Sequence, residues 1–175
     1  ATVWCALEAR YGAPPVRAGT QTRWFLFFWG LVFVQIMAGA FVAGIDAGVV
    51  HNTWPLMSGQ LVPADYLQDA FSDRGLPFFQ AVFESRAAVQ LQHRWLAYLV
   101  VILTGVTIWL IFREPRVSLK PFMVILPALV LAQVALGIAT LLAVAPLSLS
   151  LLHQGGAVVL FIACGAAAWT ARRSS

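Results

Sequence analysis

Four stretches of this chain are long and apolar enough to cross a bilayer, and a bilayer leaves a backbone few options. The hydrocarbon core holds no water, so every N–H and C=O must be satisfied within the protein. A run of about 20 apolar residues does this as a helix that spans the membrane. The four runs cover residues 24–50, 87–112, 122–144 and 147–171. Charged residues make up only 10% of the 175, against about 25% in soluble domains. The expected fold is therefore an all-α integral membrane protein, a bundle of four transmembrane helices. The third and fourth spans are joined by a very short link around Ala145 and Pro146, so they are expected to be antiparallel neighbours.

The rest of the chain divides around these spans. Residues 1–23 are expected to be the end of a preceding helix, ATVWCALEA, followed by a Pro/Gly linker, YGAPPVRAGTQTR. The simplest explanation is a piece of a longer protein; a genuine short N-terminal tail is the alternative. Residues 24–171 form the membrane domain, with an outer loop at 51–86, and residues 172–175 form a tail. The net charge of +4 comes from Lys120 and ten arginines. Arg10, Arg17 and Arg23 precede the first span. Arg113, Arg116 and Lys120 lie between the second and third, and Arg172 and Arg173 follow the fourth. With four spans all these groups share one side, which is expected to be cytoplasmic, or the matrix side in a mitochondrial inner membrane. No basic run interleaves with aromatics, so the charge reads as topology and not as nucleic-acid binding.

The outer loop carries Asp65, Asp69, Asp73 and Glu84 against Arg74 and Arg86. Its DYLQDAF and PFFQAVFES stretches have the pattern of short helices lying in the interface. Such a loop either caps a site opening to the outer face or is a plain connector with an aromatic belt.

Two histidines stand out within the spans. His93 and His153 lie in segments with few other polar groups, and ionisable residues inside a membrane are rare and functional by default. Counted from Arg86 and Pro146, each is seven residues in, roughly 10 Å of depth at 1.5 Å per residue. Imidazole is the commonest metal ligand, and histidines on facing helices can hold a haem iron from both sides. The first and third spans carry Gln35-x-x-x-Gly39 and Gln133-x-x-x-Gly137, and the span after each carries one of the histidines. This suggests a pseudo-two-fold repeat of helix pairs about an axis along the membrane normal. Arg94 is a candidate partner for haem propionates. Gly39, Gly44, Gly137, Gly155 and Gly156 either admit a bulky group or serve ordinary helix packing.

Other residues carry less. His51 is expected to be interfacial. Asp46, in GIDAG, either caps the loop, orients Arg94 or relays protons. Cys5 and Cys164 read as small buried hydrophobes, and no CxxCH motif is present, so a haem would be non-covalent. There is no P-loop, GxGxxG, GxSxG or HExxH, and no third ligand near the histidines suggests zinc or copper.

Four ordered strings, AGAFVAGIDAGVVHNTWPLMSG, FESRAAVQLQHRWLAY, LAQVALGIATLL and PLSLSLLHQGGAV, resemble the haem A synthases, and specifically their C-terminal four-helix half. The resemblance runs from about Phe25 to Ala171. It implies an integral membrane oxidoreductase that oxidises the C8 methyl of haem O to the formyl of haem A for cytochrome c oxidase assembly. It further implies that His93 and His153 are the axial iron ligands of a cofactor haem B. The substrate haem O would be held by another half outside this chain, and the electron donor would be a separate, unidentified partner. A short member working as a homo-oligomer is also compatible. His51 stands where the family pattern has an aromatic residue, and no catalytic residue is assigned in this stretch. Two readings remain beside this one. One is a transmembrane b-type cytochrome that only carries electrons. The other is a non-haem membrane scaffold in which the histidines pair with Gln35 and Gln133.

Overall fold

A computed structural model describes residues 2–13, 19–71 and 77–173. Arg17 in the N-terminal linker, Asp73 and Arg74 in the outer loop, and Ser174 and Ser175 of the tail lie outside them. Among the described residues no strand forms; the one pairing of strand type is an isolated bridge between Met57 and Gln60. The helices are α1 (Thr2–Tyr11), α2 (Thr20–Gly44), α3 (Ala64–Phe71), α4 (Phe78–Phe83), α5 (Arg86–Arg113), α6 (Phe122–Leu142) and α7 (Leu147–Arg173). Four of these, α2, α5, α6 and α7, are long and apolar enough to cross a membrane. The protein is an integral membrane protein. Its outward side chains agree: Phe27, Ile102, Phe112, Val124 and Leu131 are exposed, which only a lipid solvent makes favourable in such number. A repeat of helix pairs is not confirmed.

The helix ends have local causes. α5 starts where Ser85 accepts the amide hydrogen of Ala88 at 3.3 Å, an N-cap bond to one of the first-turn donors left without a partner. It ends just before Glu114-Pro115, and a residue preceding proline resists the helical conformation. The first span stops short of the expected Val50: α2 ends at Gly44, and Asp46 turns into the left-handed region at φ 54° before a short 3-10 turn, Ala47–Val49. Apolar composition continues past Gly44, so hydrophobicity alone overran the helix. The link between α6 and α7 closes a Schellman motif. Ala145 N–H donates to Thr140 O at 2.8 Å and Val144 N–H to Leu141 O at 3.0 Å. Val144 holds the left-handed conformation, φ 61°, that glycine usually takes. α1 occupies the place of the expected preceding helix, and α3 and α4 are the two short loop helices anticipated from DYLQDAF and PFFQAVFES.

The chain forms two compact units. The first comprises Ala1–Val34, Leu99–Gln133 and Gly155–Ser175. Phe25, Phe28, Val32, Leu126, Val130 and Leu160 are buried in it. Its α7 face is small (Gly165, Ala167, Ala168, Ala171), and small residues let membrane helices approach closely. At Gly165 a Cβ would lie 3.0 Å from the Trp29 ring. Polar groups in this unit are satisfied across helices: Trp24 Nε1 donates to Thr107 Oγ1 at 2.9 Å, and Gln21 Nε2 donates to the carbonyls of Leu110 and Glu114. The unit also collects Arg10, Arg23, Arg113, Arg116, Lys120, Arg172 and Arg173. Cys164 is buried here, Cys5 is exposed, and both are free thiols.

Candidate functional site

The second unit, Gln35–Tyr98 with Val134–Gln154, brings His93 and His153 together. Their ring centres are 6.5 Å apart and their planes stand at 89°. Each ring rests against a glycine. A Cβ on Gly39 would lie 3.0 Å from His93 Cε1, and a Cβ on Gly137 would lie 3.1 Å from His153 Cε1. The second element of each Gln-x-x-x-Gly string is thus the floor under a histidine. The likeness observed is one of these two contacts.

The glutamines differ. Gln35 Nε2 lies within hydrogen-bond distance of both His93 ring nitrogens, Nδ1 at 3.1 Å and Nε2 at 3.4 Å, and donates to the carbonyl of the same residue at 3.2 Å. Its Oε1 is buried without a partner. Gln133 belongs to the first unit, where its amide lies against Gly156; a Cβ there would be 2.0 Å from Nε2. The expected pairing of histidine with glutamine therefore holds for Gln35 and His93.

Arg94 follows His93 on α5 and is 9% exposed. Its Nη1 donates to Thr53 O at 2.9 Å, and its Nη2 donates to His51 O at 2.7 Å and to Gln90 Oε1 at 3.2 Å. Nε is buried and has no acceptor. Gln90, one turn earlier, donates to the carbonyls of Ala47 and Val50. Arg86 Nε donates to Ile45 O, and Gln92 Nε2 to Val82 O. The first turns of α5 thus hold the outer loop by its backbone, next to His93. These clamps were not legible beforehand, because carbonyl groups leave no mark in a sequence.

His51 is better enclosed than expected, its side chain only 14% exposed. One ring nitrogen bonds Ser58 Oγ at 2.9 Å and the other bonds Asp65 Oδ2 on α3 at 2.8 Å. Sequence reading missed this cluster. Its members are brought together by the left-handed turns at His51 and Ser58, which no periodicity announces. Asp46 is exposed; it makes no side-chain cap bond, and Arg94 donates to Thr53, His51 and Gln90 instead. Asn52 Nδ2 donates to Gly48 O and to Leu141 O, tying the loop to the end of α6.

The arrangement suits a haem iron. Two imidazole–metal bonds of about 2 Å each, with the short step from each nitrogen to its ring centre, come to about 6 Å. The observed spacing is 6.5 Å. Among the described residues of this unit, the buried side-chain atoms without partners are Gln35 Oε1, Arg94 Nε and His153 Nδ1. All belong to the histidines or their immediate neighbours, and unpaired buried polar groups are rare without a functional reason. Among the described residues no group of three or more His, Cys, Asp or Glu could hold a metal ion. Two imidazoles suffice only for a metal that brings its own equatorial ligands.

The family model described as cytochrome oxidase assembly protein, COX15-CtaA, matches residues 1–164. A Heme A synthase of Maricaulis maris is 61% identical over 173 residues, 99% of this chain and 49% of that protein. One from Caulobacter vibrioides is 41% identical over 175 residues, 98% of this chain and 49% of that protein. A third, from Wolbachia pipientis, is 44% identical over 133 residues, 75% of this chain and 36% of that protein. The chain spans about half the length of the first two of these curated relatives. The narrower expectation that it is the C-terminal half is not borne out by these matches. No solved structure matches. The chain belongs to the COX15-CtaA family of cytochrome oxidase assembly proteins.

Proposed function

We propose that this chain is the cofactor-binding half of a haem A synthase. It would hold haem B through His93 and His153 and serve the oxidation of the C8 methyl of haem O to the formyl group of haem A. The paired imidazoles carry the reading: their ring centres are 6.5 Å apart, and each lies over a glycine. The name Heme A synthase on the relatives supports the reaction class. When bound, the haem supplies a one-electron centre that exchanges electrons with the substrate haem and with a separate electron donor. The chain's own residues set its position. His93 and His153 present nitrogen from α5 and α7, and the glycines of α2 and α6 leave room for the rings. Arg94 keeps the loop folded through its Nη atoms and has Nε–H left over for a propionate.

The basic groups gathered in the first unit support an orientation with Arg10, Arg23, Arg113, Arg116, Lys120, Arg172 and Arg173 on the cytoplasmic or matrix side. Counted along the four spans, the 51–86 loop then faces the opposite side.

The test of function is a haem extract. Full-length protein is expressed in cells that make haem O but lack their own haem A synthase. Wild type is expected to yield haem A, and His93→Ala and His153→Ala are expected to leave haem O. Undiminished haem A from both variants contradicts the reading.

A further inference from the structure

His93 and His153 are held differently. Gln35 binds His93 at a ring nitrogen and at its own carbonyl, one helical turn from the glycine under the same ring. His153 has no such partner: its Nδ1 is buried and bonds nothing. The orientation of His153 thus rests on packing, while that of His93 is set by packing and by a hydrogen bond.

Building on the haem reading above, we propose that Gln35 is a positioning residue that makes His93 the anchored iron ligand and leaves His153 as the ligand that gives way.

The chemistry of an amide suits this task. A His93 ring nitrogen that accepts from the Gln35 amide carries no proton, so this contact favours the tautomer protonated on the other ring nitrogen. A neutral imidazole that gives Nε2 to a metal carries its proton on Nδ1 and needs an acceptor there. The Gln35 amide has one to offer, because Oε1 is without a partner. Rotation of the amide exchanges donor for acceptor at the ring and gives up the bond to the His93 carbonyl. An apolar residue would serve neither state. Outer partners of this kind typically change metal affinity by about 10–100-fold.

The experiment uses full-length protein labelled with 15N at histidine, prepared haem-free from haem-deficient cells and then titrated with haem. In the haem-free protein His93 is expected to show one fixed tautomer and His153 an averaged pair. Gln35→Met, which keeps the volume, is expected to average the His93 signals, leave those of His153 unchanged and keep the tryptophan indole signals in place. With haem, Gln35→Met is expected to weaken retention about 10–100-fold. His153→Ala is expected to keep a high-spin haem, and His93→Ala to lose it. Unchanged His93 signals in Gln35→Met overturn the role of Gln35. Equal haem loss in the two histidine variants, or loss in His153→Ala alone, overturns the inequality of the ligands. A wild-type protein that takes up no haem overturns the haem reading itself and the ligand assignment with it, and the nuclear signals of Gln35→Met separate that failure from the others.

Discussion

The glycines divide once their neighbours are known. Gly39 and Gly137 lie under imidazoles, Gly156 lies under the Gln133 amide, and at Gly44 and Gly155 an added Cβ meets nothing within 4 Å. Sequence reading had all five as either packing positions or room for a bulky group, because spacing along one helix does not say what faces it. Gly39→Ala puts a methyl 3.0 Å from His93 Cε1, so the ring must shift. Haem affinity is expected to fall about tenfold, measured by haem titration, with Gly44→Ala unchanged as the control. Gly156→Ala displaces the amide at the end of the flexible Gln133 side chain and is expected to lower the unfolding midpoint in detergent only slightly. The histidine pair itself was legible, since an imidazole in an apolar span has few structural reasons to be there. The cluster of His51, Ser58 and Asp65 was not, since it is built by a loop.

At the scale of elements, α5 does two things with one face: it carries His93, and it grips the outer loop. Arg94→Lys keeps the charge, but a single ammonium cannot reproduce the guanidinium's fork to Thr53 O, His51 O and Gln90 Oε1. Faster amide hydrogen exchange is expected over residues 47–58, with a loss of about 1–3 kcal/mol for the carbonyls left unpaired. Unchanged exchange there would show that the clamp does not order the loop. The link after α6 offers the opposite sign. Val144 in the left-handed region costs about 1–3 kcal/mol, more than the roughly 0.4–1 kcal/mol of extra chain entropy a glycine brings. Val144→Gly is therefore expected to raise the unfolding midpoint, and a lower midpoint would mean that the valine side chain contributes packing that outweighs the strain. The four long helices were legible from length and hydropathy. The end of α2 was not, because Ile45 to Val50 is apolar but turns at Asp46, and a left-handed residue leaves no trace in a hydropathy pattern.

At the scale of the whole molecule, the proposed topology follows from the order of the four spans and the Arg-rich segments between and after them. With Cys5 and Cys164 changed to Ser, a cysteine introduced by Gln60→Cys is expected to react with a membrane-impermeant thiol reagent added outside intact cells. One introduced by Ser118→Cys is expected to react only after lysis, and the reverse pattern would invert the topology. Charge bias was visible in the chain from the start. The fold of the outer loop was not, because side chains of α5 binding its backbone hold it in place. The most direct measurement is the reduced-minus-oxidised absorption spectrum of the full-length protein purified in detergent, for wild type, His93→Ala and His153→Ala. The expected result is a low-spin b-type spectrum in the wild type, lost in His93→Ala and high-spin in His153→Ala. A protein that stays colourless after incubation with haem contradicts the haem site.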